Sequence, residues 1–160
     1  MIPLNTLASA PAAIVSHPRI GAKARSQAAI EIDASAEKIW ALVVDIHRWP
    51  QWNSAVETAR LEGPFEIGAV FKWKSGGLGI RSTIQDIDPL RRLVWTGKTL
   101  GTRAVHSWSF EDTGTGVVVT TSETFDGWPP TIMPRTMQKM LDETLPALLT
   151  SLKAAAERAC

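Results

Sequence analysis

The chain of 160 residues has one cysteine, Cys160, and no tyrosine. A lone cysteine excludes an intrachain disulfide and any cysteine-based metal cluster. It fits a reducing compartment, so a cytoplasmic location is expected. An excess of one charge is also missing: seventeen basic against sixteen acidic side chains give a formal net charge of +1. No basic run marks a nucleic-acid footprint, and no nucleic-acid partner is expected. No apolar run approaches the roughly 20 residues that span a bilayer, so no membrane span is expected. Histidine is scarce, and neither His17 nor His47 has a second ligand at metal spacing, so a zinc site is not expected.

The first residues, MIPLNTLASAPAAIVSHPRIGAKARSQ, lack the plan of a secretory signal. Such a signal opens on a basic region followed by an unbroken apolar stretch. Here the first basic side chain is Arg19, and Pro3 and Pro11 interrupt the apolar residues. Residues 1–24 are therefore expected to form a loosely structured extension, and residues 25–160 one domain. An apolar share of 44% suffices for a single core in a domain of this size. The seven tryptophans, Trp40, Trp49, Trp52, Trp73, Trp95, Trp108 and Trp128, are scattered along the chain and serve core packing first.

Hydrophobic periodicity divides the domain. SQAAIEID reads as a first strand, with Ala28, Ile30 and Ile32 on one face. SAEKIWALVVDI follows as an amphipathic helix, with Ser35 as its N-cap and Ile39, Leu42, Val43 and Ile46 as its apolar side. HRWPQWN makes a turn or a second short helix. Six strands are expected over 55–62, 69–75, 80–88, 92–99, 103–111 and 117–125. The separators are rich in Gly, Pro and Asp, and connections so short make an antiparallel meander. After Trp128-Pro129-Pro130 the period changes. Met133, Met137, Met140, Leu141, Thr144, Leu148, Leu152 and Ala155 recur at three and four residues, predicting one long helix to about Arg158. Pro146 is expected to kink it.

The last two strands raise a chemical question. In VHSWSFEDTGTGVVVTTSETF, His106, Trp108 and Phe110 share one face, as do Val119, Thr121, Glu123 and Phe125. The aromatic side belongs inward, so a histidine and a glutamate face the core. A four-residue loop over Thr113 to Gly116 sets His106 opposite Glu123. A two-residue loop at Thr113-Gly114 sets it opposite Thr121, with Glu123 on the diagonal. The longer loop is favoured, and both keep the inward parity. A buried polar group left unpaired costs about 1–3 kcal/mol, a large share of a domain's stability of about 5–15 kcal/mol. These side chains must therefore satisfy each other, hold water, or meet the polar end of a ligand.

The segments DASAEKIWALVVDI (33–46), RWPQWN (48–53) and WSFEDTGTGVVVTTSETFD (108–126) resemble the START-like, polyketide-cyclase-type SRPBCC superfamily. The resemblance spans about residues 25–158. It is most specific in the combination of early helix, W-P-x-W turn and penultimate hairpin. It implies an α+β helix-grip fold: a curved seven-stranded antiparallel sheet wrapped round a long C-terminal helix, with two short helices after strand 1. Members enclose a hydrophobic ligand cavity between sheet and helix, and many are binding or transport proteins. By strand parity, the walls of such a cavity here are Phe71, Trp73, Trp95, His106, Trp108, Thr121, Glu123 and Phe125. Met137 and Leu141 join them from the helix.

Three function classes stay open. The first is a binding or transport protein for a hydrophobic small molecule, acting as monomer or homodimer. The second is a cyclase- or dehydratase-type enzyme in which His106 or Glu123 moves a proton. The third is an interaction protein like the chaperone-ATPase activators that share this grip. No other catalytic group is expected, since the serines and threonines of 118–124 lack a paired base. No cofactor is expected either: GGLG (76–79) lacks the following helix and Lys of a phosphate loop. Arg81 beside it is expected in solvent, reaching inward only if a bulge turns it.

Overall fold

The computed structural model describes residues 21–158. The extension expected over residues 1–24 falls, up to residue 20, outside the described residues, as do His17 and Cys160. Seven strands form one antiparallel sheet in the order β1-β7-β6-β5-β4-β3-β2. They are β1 (Ala24–Ile32), β2 (Val56–Glu62), β3 (Val70–Ser75), β4 (Leu78–Asp88), β5 (Arg92–Thr99), β6 (Thr102–Asp112) and β7 (Val117–Gly127). The helices are α1 (Ala36–Val44), α2 (Trp49–Trp52), α3 (Trp128–Ile132) and α4 (Pro134–Glu157), with a 3-10 turn over Ile46–Arg48. This is the helix-grip arrangement. Among the described residues no helix is long and apolar enough to cross a membrane.

Local chemistry explains the elements. Ser35 caps α1 by accepting a hydrogen bond from the Lys38 amide at 3.2 Å. The strands from β2 to β7 run as a meander because each turn is short. After β7 the chain folds back, and β1 pairs along the free side of β7, from Ala24–Phe125 to Ile32–Val117. A bulge between Ile84 and Asp86 shifts the parity of β4, so Ser82 and Ile84 share the inward face with Ile87. Arg81 lies before that bulge and stays on the outer face, opposite Lys98.

Helix α4 runs unbroken through Pro146, which stands on its exposed side. Its buried stripe is Leu141, Leu145, Leu149, Leu152 and Ala156. The stripe read from the sequence lay too far toward the methionines. Met140 and Thr144 are exposed, and Met137, Leu148 and Ala155 are half-buried. The cause is geometric: an offset of one residue rotates a helical stripe by about 100°. The helix packs chiefly along β1, an edge strand with an unpaired row of backbone groups. Gln138 closes part of that edge, accepting from the Arg25 amide at 3.2 Å and donating to the Arg25 carbonyl at 2.6 Å. Farther on, Lys153 donates to the Glu31 carbonyl at 2.7 Å, and Glu157 accepts from the Asp33 amide at 2.9 Å. Lys153 also bonds Glu157. The two donors, Lys153 first, hold the Glu157 carboxyl below the usual carboxylate range.

One end of the sheet closes on glycine. Gly127, with φ 116° and ψ −171°, occupies backbone space that only glycine enters without strain. A Cβ there would also strike the carbonyl oxygen of Gly101 in the β5–β6 turn. Gly77 in the β3–β4 hairpin likewise has positive φ, at 78°, but nothing lies within 4 Å of its Cβ position. Gly127→Ala should therefore cost about 1–3 kcal/mol more than Gly77→Ala in urea denaturation, the difference reporting the backbone collision. Equal costs would mean that the turn moves aside freely.

Candidate functional site

The turn between β6 and β7 sets the site. The Thr113 amide donates to the Gly116 carbonyl at 2.9 Å, and the Gly114 amide to the Asp112 carboxylate at 2.8 Å. A four-residue loop results, Asp112 pairs with Val117, and His106 stands directly opposite Glu123. This is the longer-loop register. One row of inward side chains then crosses the sheet: Ser26, Glu123, His106 and Trp95 on β1, β7, β6 and β5.

The polar contacts define a short relay. His106 Nε2 lies 2.7 Å from the hydroxyl of Thr121, which is fully buried. Thr121 donates in turn to the Ser107 carbonyl at 3.3 Å. A hydroxyl has one proton, so Thr121 Oγ1 then accepts from Nε2–H, and the imidazole is oriented. Its other nitrogen, Nδ1, faces Glu123 Oε1 at 3.5 Å. That contact is attractive when one proton lies between the two groups. The imidazole is nearly sealed, with 6% of its side-chain surface exposed, whereas Glu123 keeps 16%. Next to Glu123 on β1, Ser26 donates to Asp142 of α4 at 2.6 Å. Ser26, Asp142 and Gln138 were not anticipated from the sequence. Their roles depend on where α4 meets β1, which no local pattern encodes.

Aromatic rings surround the relay. His106 stacks on Trp108, with ring centroids 5.2 Å apart and planes 6° apart, and Trp108 stacks on Phe110. Trp95 covers His106 from the next strand at 4.8 Å. Trp49 of α2 sets its ring against Phe71, Trp73 and Trp95 at 5.5–5.9 Å. No periodicity in the sequence places Trp49 at this centre. Its pairing with β3 and β5 is a tertiary contact without a sequence signal. Trp49 and Trp73 satisfy their indole N–H groups, on the Val43 carbonyl and the Ser82 hydroxyl. Trp108 and Trp52 bury theirs with no partner among the described residues.

Thus His106, Thr121, Glu123, Trp95 and Trp108 come together directly, and Phe71 and Trp73 join through Trp49. Leu141 is fully buried on α4, while Phe125 and Met137 are half-buried. Burial along the inward face is uneven. Val117, Val119, Phe110 and Leu93 are buried, but Trp73, Ile80, Ala104, Glu123 and Phe125, nearer the other end, are half-open. Small residues occupy that half: a Cβ at Gly97 would meet Ser82, Ile80 and Ala104 at 3.4–3.8 Å. Among the described residues no three His, Cys, Asp or Glu side chains gather as metal ligands.

Residues 23–157 match the model of a family described as polyketide cyclase / dehydrase and lipid transport. No curated protein matches the sequence. Among solved structures, a START superfamily protein from Mycobacterium smegmatis is similar at 18% identity. It has a TM-score of 0.73, over 83% of this chain and 97% of that one. The hypothetical protein jhp0584 from Helicobacter pylori is similar at 17% identity and a TM-score of 0.72, over 98% and 99%. The di-domain ARO/CYC protein BexL of the BE-7585A biosynthetic pathway matches at 19% identity and a TM-score of 0.70. That match covers 85% of this chain and 50% of BexL. At such identities the likeness is one of fold.

The relay itself can be tested by folding energetics. Thr121→Val should cost about 1–3 kcal/mol by leaving a buried imidazole nitrogen unpaired. The double variant His106→Phe/Thr121→Val should cost less than the sum of the single changes. Strict additivity in urea denaturation would show that the two groups do not interact.

Proposed function

Because the chain belongs to the polyketide cyclase / dehydrase and lipid transport family, whose fold is START-like, we propose that it binds a hydrophobic small molecule between the sheet and α4. The observation that carries this reading is the indole N–H of Trp108. Among the described residues it is buried without a partner, beside His106 and opposite Thr121, on an otherwise aromatic floor. A buried donor left unpaired costs about 1–3 kcal/mol, and a ligand's oxygen would recover it. Sites for small molecules combine apolar walls with a few placed polar groups, the balance found here. In this reading Phe71, Trp73, Trp95, Phe125, Met137 and Leu141 line the apolar part. His106, Trp108, Thr121 and Glu123 anchor the ligand's polar end. The half-open stretch around Ala104 and Phe125 is the way in. With one cysteine the chain suits the reducing cytoplasm, as a monomer or homodimer. In this scheme the binding domain takes in β1 from Ala24.

A second reading is favoured by one feature, the imidazole held by Thr121 with Nδ1 toward Glu123. That geometry suits proton transfer to or from a ligand carbonyl, as a cyclase or dehydratase requires. Binding would then precede chemistry at the same residues.

Titration of the protein with lipophilic ketones and fatty acids, followed by tryptophan emission, should give saturable quenching or a spectral shift. Trp108→Phe keeps an aromatic ring but removes the donor. It should weaken binding of oxygenated ligands up to about ten-fold while leaving their hydrocarbon analogues unaffected. Unchanged emission across the series would refute the binding reading. Turnover of a bound ketone that disappears in Glu123→Gln, with binding intact, would promote the enzymatic one.

A further inference from the structure

The outer face of the sheet carries a feature separate from the interior site. The registers set Arg60 opposite Lys72, Lys72 opposite Arg81, Arg81 opposite Lys98, and Lys98 opposite Arg103. One straight row of five basic side chains therefore crosses five adjacent strands. All five are exposed. At about 4.8 Å between strands, the row is about 19 Å long. Like charges directly opposite one another destabilise a sheet, so this arrangement works against folding. Two of the five are neutralised: Glu62 pairs with Lys72 at 2.7 Å and Asp126 with Arg103 at 3.1 Å. Arg60, Arg81 and Lys98 have no ion pair among the described residues. The positive field is felt locally. The bond from Lys72, with the charges of Arg81 and Arg60 behind it, holds the Glu62 carboxyl below the usual carboxylate range.

A second observation lies just beyond the row. The β5–β6 turn, the β3–β4 hairpin and α3 meet at one end of the sheet. Thr99 of β5 bonds the Gly79 carbonyl at 2.8 Å, and the Trp128 indole rests over Gly101. That end exposes Leu78, Leu100, Trp128, Ile132 and Met133. Leu100, Trp128 and Ile132 are 70%, 60% and 69% exposed. Leu100 stands two residues past Lys98, so the basic row sits about 7 Å behind the apolar tips. The row runs across the strands.

We infer that this end of the sheet docks on an anionic lipid surface, the apolar tips entering the headgroup boundary and the basic row meeting the phosphates. An apolar segment lodged in that boundary reaches about 5–10 Å deep, which matches the offset between tips and row. Each Lys or Arg near an anionic surface strengthens attachment by about five-fold. A nucleic acid would meet the row equally well but offers no apolar phase for Leu100 and Ile132. The inference concerns the outer face and the rim, and holds whether or not the interior binds a ligand.

The test is co-sedimentation of the full chain with phosphatidylcholine vesicles, with and without phosphatidylserine. Binding should require phosphatidylserine and weaken as salt is raised. Arg81→Gln/Lys98→Gln/Arg103→Gln should weaken it about a hundred-fold, with the melting temperature unchanged or higher because repulsion is relieved. Lys98→Gln alone, a milder change, should weaken it about five-fold. Leu100→Ser/Trp128→Ser should also release the protein. Equal binding to neutral vesicles, or full binding by the triple variant, would overturn the inference. So would row-dependent binding to a duplex oligonucleotide without binding to any vesicle.

Discussion

Side chains alternate along each strand, so a slip of one residue in any pairing would exchange the two faces of that strand. In this molecule such a slip would move His106 and Trp108 into water and bring Ser107 and Ser109 into the core. The four-residue turn at Thr113–Gly116, tied by the Asp112 carboxylate and the Thr113 amide, guards against it on the central hairpin. From that register follows the inward relay of His106, Thr121 and Glu123. The outward alignment of Arg103 with Lys98 follows from the neighbouring β5–β6 pairing, closed by its own short turn.

The placement of α4 is the second determinant. The helix seals the edge of β1 with side-chain hydrogen bonds and follows β1 and β7 rather than crossing the whole sheet. The middle strands are covered instead by Trp49 and its aromatic neighbours. Aromatic rings meet edge to face at 5–6 Å and leave irregular contours, unlike interdigitated aliphatic chains. An interior built this way tolerates polar atoms such as the Trp108 N–H.

Much of this was legible in the sequence because it is periodic. Alternation in 105–125 put His106, Trp108 and Glu123 on one face, and strand parity in 69–75 turned Phe71 and Trp73 inward. Those strands contain no irregularity between the residues concerned. The stripe of α4 was harder, since methionines, threonine and leucines all recur at three and four residues and several overlapping stripes compete. Trp49 could not be positioned, because it follows two short turns whose direction depends on packing.

The linear sequence by itself determined the order of the strands and of the long helix, and the inward parity of the last hairpin. Periods of 2 and 3.6 are local properties and survive without a partner. Only the tertiary structure decided which residues become neighbours across strands. Arg60, Lys72, Arg81, Lys98 and Arg103 lie five to seventeen residues apart in a chain of near-neutral composition, so no basic run reveals them. Antiparallel pairing brings each within about 5 Å of the next, because register couples positions by hydrogen bonding and not by distance along the chain.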